Sequence, residues 1–207
     1  MTGSRPLKTR VIDAYSPEIE AVMGEVVGSC DKGLARRGRG VKSSPLGNFL
    51  TDVIRARAKV DVALVNKTGI RASMVAGEVS VRDLYQISPF GNTIVTMELT
   101  GGQLQALMEN AVQKSHTRLE SSGMYVWYSG KEVEQVKAAG GLLDVDKVYR
   151  VATNSFLADG GDGHVVFREG KNRKDTGVKI RVAVGDWFRK EKVCKEDLSP
   201  RLRNKGE

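Results

Sequence analysis

A chain of 207 residues, 40% hydrophobic and 28% charged, has the length of one large domain or two small ones and an ordinary globular composition, which excludes disorder as its default state. Its formal charge of +8 favours anionic partners, whether a phosphate-bearing small molecule, a nucleic acid or an acidic protein surface, and does not choose among them. No segment approaches the roughly 18 apolar residues of a membrane span, and the opening stretch MTGSRPLKTRVIDAYSP holds no apolar run of the signal-peptide kind, so the chain reads as intracellular or already cut from a longer precursor.

Residues 1–15 read as a leader or the tail of a linker. Ser16 and Pro17 then form an N-cap and first-turn pair, and Ile19, Val22, Met23, Val26 and Val27 recur at helical spacing until Gly28. Ser44 and Pro45 repeat this grammar ahead of Leu46, Phe49, Leu50, Val53, Ile54 and Ala58, an amphipathic helix. Val60 to Asn66 predicts a buried strand that turns at Thr68 and Gly69. Ser80 with Asp83 is a capping box for a short helix that stops before Pro89. Thr93 to Leu99 has strand composition, and Thr100 with Gln103 opens a helix whose buried face is Leu104, Leu107, Met108, Ala111 and Val112. Met124 to Tyr128 and Val148 to Thr153 read as hairpin-like strands, and a last helix buries Ile180, Val184, Trp187 and Phe188. These apolar stripes are expected to form the core of one α+β domain, a mixed sheet covered by helices.

Cys30 and Cys194 lie far apart and belong to no C-x-x-C pair, so they indicate neither a metal knuckle nor a disulfide framework, while one bridge between them stays open. Basic residues gather at Arg36, Arg37, Arg39 and Lys42, and again from Arg189 to Lys205, where Glu191 and Glu196 dilute them. No base-stacking aromatics are interleaved with either run, which argues against nucleic acid as a partner.

Three loops join small residues to side chains able to face a ligand. In Asn154 to His164, NSFLADGGDGH, the glycines Gly160, Gly161 and Gly163 allow close backbone approach, Asp162 offers two acceptor oxygens, and Phe156 supplies a flat apolar face. A planar group carrying a vicinal diol, such as a nucleoside, suits that combination; a plain tight turn with Phe156 in the core is the other reading. Asn66-Lys67-Thr68-Gly69-Ile70-Arg71 leaves the end of a buried strand, with Arg71 able to grip a phosphate or ribose oxygen and Asn66 able to read a base edge. Alternatively, Asn66 bonds its own turn and Arg71 is solvated. In Ser88-Pro89-Phe90-Gly91-Asn92 a proline directs Phe90 either outward as a stacking surface or into the core.

Together the segments SPLGNFLTDVI (44–54), VALVNKTGIR (62–71), GEVSVRDLYQISPFGNTIVTMELTGGQL (77–104), SSGMYVWY (121–128) and VYRVATNSFLADGGDGH (148–164) resemble the C-terminal domain of the 5′-nucleotidase family, which includes UDP-sugar hydrolases and 2′,3′-cyclic-nucleotide phosphodiesterases. The resemblance runs over about residues 16–192, with residues 193–207 as a charged tail. It implies a substrate-recognition domain in which Phe90 and Phe156 sandwich the base, Asp162 accepts from the ribose hydroxyls and Arg71 reaches the ribose or first phosphate. Asn66 and Asn92 would stand beside the base, with Gly69 and Gly161 completing the pocket. It also implies a location in the periplasm, outside the cell or at its surface, and rigid-body motion of this domain toward a separate N-terminal metallophosphatase domain, in cis or as another chain. The chain departs from the family pattern at Gly40 to Ser43, where arginines are common, at Lys114 to Arg118, and at His164, where an aromatic is common.

Only His116 and His164 are present, and the D-x-H and G-N-H-[DE] metal motifs of that phosphatase half are absent. Divalent metals are therefore expected only in the missing N-terminal domain, no cofactor and no catalytic or metal-ligating residue in this chain, and no metal-dependent hydrolysis by it alone. No serine, cysteine or lysine sits in a nucleophile motif. A second hypothesis is a non-catalytic interaction module of the same fold, docking an acidic partner through the basic clusters; a nucleic-acid binder comes third.

Overall fold

The computed structural model describes residues 17–37, 43–113 and 115–205, with the side chain of Ser115 not described. The expected leader over 1–15, the Ser16 cap, Arg39, Lys42 and Lys114 lie outside these residues. A first helix, α1, spans 17–24 and gives way to strand β1 (Val26–Cys30). Val26 and Val27 therefore belong to a strand and not to the expected helix, and two adjacent β-branched residues favour that state. Ile19 and Val22 of α1, expected in the core, stand exposed. Gly28 lies inside β1 because a Cβ there would come within 2.6 Å of Phe188 Cδ1, so the last helix could not pack against the strand.

The centre of the fold is a five-stranded sheet, in the order β10 (Lys171–Lys179), β4 (Thr93–Thr100), β9 (Val148–Asn154), β2 (Val62–Asn66), β5 (Leu119–Ser122). β2 and β9 run parallel, while β4 is antiparallel to β9 and β5 antiparallel to β2. Every residue of β2 is buried, and its side chains alternate between two cores: Ala63 and Val65 join one, Val62 and Leu64 the other. The first core lies under helices α2 (Pro45–Ala58), α3 (Val81–Ile87) and α6 (Ile180–Glu191) and a small sheet, β11 (Val193–Cys194), β1, β3 (Gly77–Ser80). The second lies under α4 (Gly101–Gln113) and a four-stranded sheet, β12 (Leu202–Asn204), β6 (Met124–Ser129), β7 (Glu132–Ala138), β8 (Gly141–Leu142). The expected mixed sheet layers covered by helices are thus what forms.

Helix ends follow local chemistry. Ser44 caps α2 by accepting from the Gly47 N–H, with Pro45 in the first turn. Both capping boxes are made: Ser80 with Asp83 at α3, and Thr100 with Gln103 at α4, where each accepts from the other's backbone N–H. Strands 124–128 and 148–153, expected as a hairpin-like pair, sit in different sheets: β6 pairs with β7, and β9 with β4 and β2.

Past residue 192 the chain keeps to the body. Val193 and Cys194 pair with β1, Cys194 forms a disulfide with Cys30, and β12 adds to β6. Arg201 is buried between Asp52 and Asp197, at 2.6 and 2.7 Å, and also donates to the Ser121 carbonyl.

Candidate functional site

Because β2 and β9 are parallel and β4 antiparallel to them, the last residues of β2 and β9 and the first of β4 reach the same end of the central sheet. Ile94 lies opposite Asn154. The three loops singled out from the sequence leave from this end, separated along the chain by tens of residues and adjacent in space. They enclose a cleft of about 290 Å³ lined by Asn66, Thr68, Gly69, Arg71, Phe90, Asn92, Phe156 and Asp162.

The two phenylalanines are held outward by different devices. Phe156 lies in the one-turn helix α5 (Ser155–Ala158), capped by Asn154, whose side-chain oxygen accepts from the Leu157 N–H at 2.8 Å. That turn buries Leu157 and Ala158 and leaves Phe156 43% exposed. Gly161 does not line the cleft itself: a Cβ on it would stand 2.6 Å from Cδ1 and Cζ of the Phe156 ring, so the ring lies where only glycine leaves room. Phe90, 48% exposed, follows Pro89 in the loop after α3. Arg181 of α6 donates to the Phe90 carbonyl at 2.9 Å while its guanidinium stacks on Tyr85, 4.2 Å from the ring centroid, tying the loop to the helix below. The Asn92 carbonyl accepts from the Ile180 N–H at the start of the same helix.

Arg71 donates to the Thr68 carbonyl at 3.3 Å and lies with its guanidinium carbon 5.9 Å from the Phe90 centroid, exposed at the rim. The floor is a polar network. Asp162 takes left-handed angles, φ 52 and ψ 22, between two positive-φ glycines, Gly160 and Gly163. Its Oδ2 accepts from Asn66 Nδ2 at 2.9 Å and from Thr68 Oγ1 at 2.7 Å. Asn66 is buried and its amide is engaged on both sides, with Asn154 donating to its Oδ1 at 2.8 Å. Asn66 thus lines the cleft with its side-chain groups engaged by neighbouring protein residues. Thr68, read from the sequence only as a turn residue, lines the cleft; its partner Asp162 is 94 positions away, a distance no local pattern spans.

His164 is buried behind the glycine-rich turn, with Nε2 2.7 Å from the Thr117 carbonyl and Nδ1 3.1 Å from Asn110 Nδ2. Asn110 Nδ2 also donates to the Gly163 carbonyl, so a neutral ring protonated on Nε2 satisfies both contacts. Burial pushes its pKa down, against the upward pull of the Thr117 carbonyl and the Asp162 charge. Beneath the same loops Glu120 is buried and accepts from the Ser44 N–H and hydroxyl at 3.0 and 2.7 Å, with Lys67 Nζ at 3.7 Å. Desolvation raises its pKa, opposed first by Lys67.

Among the described residues no three His, Cys, Asp or Glu side chains stand together so as to hold a metal ion, as a dinuclear centre would require. Of the basic clusters, Arg36 is tied by its side chain to the Ile70 carbonyl, while Arg189, Lys190, Arg201 and Lys205 all pair with carboxylates of this chain.

The chain is similar in sequence and in fold to known proteins. The chain is 30% identical over 199 residues to the trifunctional nucleotide phosphoesterase YfkN of Bacillus subtilis, spanning 85% of this chain and 13% of that protein. It is 28% identical over 191 residues to a 5′-nucleotidase of Vibrio cholerae, 89% of this chain and 33% of that one. A 5′-nucleotidase precursor from Thermus thermophilus superposes with a TM-score of 0.86 at 32% identity, covering 96% of this chain and 43% of its own. The chain thus spans less than half the length of each of these relatives. The family model for the 5′-nucleotidase C-terminal domain matches residues 24–169, and the chain belongs to that family.

Proposed function

We propose that the cleft binds a nucleoside or nucleotide, and that the chain serves as the substrate-recognition domain of a 5′-nucleotidase-like phosphohydrolase. The observation that supports this most is the pairing of two half-open benzyl rings, Phe90 and Phe156, with the Asp162 carboxylate in one cleft. Two half-open rings converging on one cleft beside a carboxylate form an apolar surface that a flat ligand can cover. A base contributes stacking area, a ribose brings the hydroxyls that a carboxylate accepts from, and Arg71 at the rim balances a phosphate.

In this reading cleavage of the phosphate ester belongs to a metal-bearing N-terminal domain, in the same protein or a separate chain. The part this chain plays is binding and orientation, with the rings holding the base while the phosphate projects from the cleft. The disulfide between Cys30 and Cys194 supports a periplasmic, extracellular or cell-surface setting, since such bonds persist in oxidising compartments. Pairing of Arg189, Lys190, Arg201 and Lys205 with carboxylates of this chain makes these four residues less available to an acidic partner, which disfavours the reading of an acid-docking module.

Calorimetric titration of the chain with adenosine and AMP tests the proposal. The expected result is saturable binding that Phe156→Ala abolishes. Absence of binding to any nucleoside, with salt-sensitive capture of an acidic protein instead, would overturn it.

A further inference from the structure

The hydrogen bonds at the floor of the cleft can be oriented without ambiguity, and their orientation carries a specificity. A carboxylate oxygen accepts, so Asn66 turns its Nδ2 toward Asp162. Asn66 Oδ1 then faces Asn154, which must donate through its own Nδ2. Asn154 Oδ1 is left to accept from the Leu157 N–H, the cap that sets the turn bearing Phe156. Thr68 has one hydroxyl proton; it goes to Asp162 Oδ2 at 2.7 Å, and the hydroxyl oxygen accepts from Asn66 Nδ2 at 2.7 Å. Both donors to Asp162 thus arrive on Oδ2, and among the described residues no donor reaches Oδ1.

We infer that Thr68, together with Asn66, is a positioning residue that locks the Asp162 carboxylate with Oδ1 as the acceptor presented to the ligand, so that the cleft discriminates by the presence of a sugar hydroxyl able to donate to it. This rests on the proposed nucleoside reading of the cleft and adds the device that makes it discriminate. A carboxylate held by one donor could swing about its Cβ–Cγ bond and meet either a hydroxyl or water; one held by two donors on the same oxygen cannot turn without breaking both. The cost of fixing the acceptor is borne in folding, so ligand binding does not repeat it. Asn154 carries the same order one step further, because the amide that aligns Asn66 also caps the turn of Phe156, so ring and carboxylate share one reference point.

Thr68 is exposed, so substituting it does not threaten the core. The experiment measures dissociation constants of adenosine and 2′,3′-dideoxyadenosine for wild type, Thr68→Val and Thr68→Ser, with melting temperatures as a check on folding. Valine keeps the shape and removes the donor; serine restores it. Thr68→Val is expected to weaken adenosine about tenfold, the size of one charge-assisted hydrogen bond, to leave the dideoxy ligand unchanged, and to be rescued by Thr68→Ser. Equal loss for both ligands, or no loss for adenosine, overturns the positioning role while leaving the nucleoside reading intact. Failure of the wild type to bind either ligand overturns the nucleoside reading, and the inference falls with it.

Discussion

Replacing Gly161 by alanine should weaken ligand binding while leaving the fold intact. The Cβ of the new residue would lie 2.6 Å from two atoms of the Phe156 ring, about an ångström inside normal carbon contact. The obstacle is the end of a side chain that is 43% exposed, so it can swing away into solvent without disturbing Leu157 or Ala158 beneath it. Gly161 is not among the glycines with positive φ, so alanine meets no backbone strain there, in contrast to Gly160 and Gly163. The cost to stability is then within about 0.5 kcal/mol, the usual range for a surface substitution. Displacing the ring forfeits its stacking, roughly 1–3 kcal/mol per base, which corresponds to about 5- to 150-fold weaker binding. Isothermal titration with adenosine and thermal melting of the same samples read the two quantities separately, with Phe156→Ala as the reference for complete loss. Wild-type affinity in Gly161→Ala, with the melting temperature unchanged, would refute the reasoning, because the ring position would then not matter.

Other outcomes follow from the geometry. The Cys30–Cys194 bridge closes a separation of 164 residues, and chain-entropy arguments assign such a loop about 5 kcal/mol; reduction with dithiothreitol should shift the urea midpoint sharply downward, and an unchanged midpoint would contradict this. His164 has its folded pKa depressed below the ordinary 6.5, so the unfolded chain binds the proton first as pH falls: its contribution to stability is complete above 6.5 and is lost from there toward the folded value. Urea unfolding at about pH 7.5 and about pH 5.5 should show a larger loss for wild type than for His164→Gln, and equal losses would speak against a buried neutral ring. With no metal-holding cluster among the described residues, the purified chain supplied with AMP and a divalent metal should release phosphate at background rate; turnover abolished by Asp162→Asn would reverse that expectation.

How far the sequence carries this picture depends on whether a signal is local. Helices α2, α3 and α4 announce themselves through Ser44-Pro45, Ser80 with Asp83 and Thr100 with Gln103, because caps are made within one turn. Val26 and Val27 mislead because a helical spacing of apolar residues says nothing of the partner strand β3 that holds them. Strand β10, KNRKDTGVK, is exposed along almost its whole length and has no apolar alternation; it exists by pairing with β4, and its charges suit an edge. The segment after 192 reads only as a charged tail because the acids that bury Arg201 include Asp52, 149 positions earlier. At the cleft, rings, carboxylate and arginine are legible as residue types suited to a ligand, whereas the engagement of Asn66 and the part taken by Thr68 depend on contacts to Asp162 and Asn154 that only folding creates.

A crystal of the chain grown with adenosine tests the central claim most directly. The account predicts the purine lying between the Phe90 and Phe156 rings, with a ribose hydroxyl within hydrogen-bond reach of Asp162 Oδ1. A purine bound elsewhere, or touching neither ring, would contradict it.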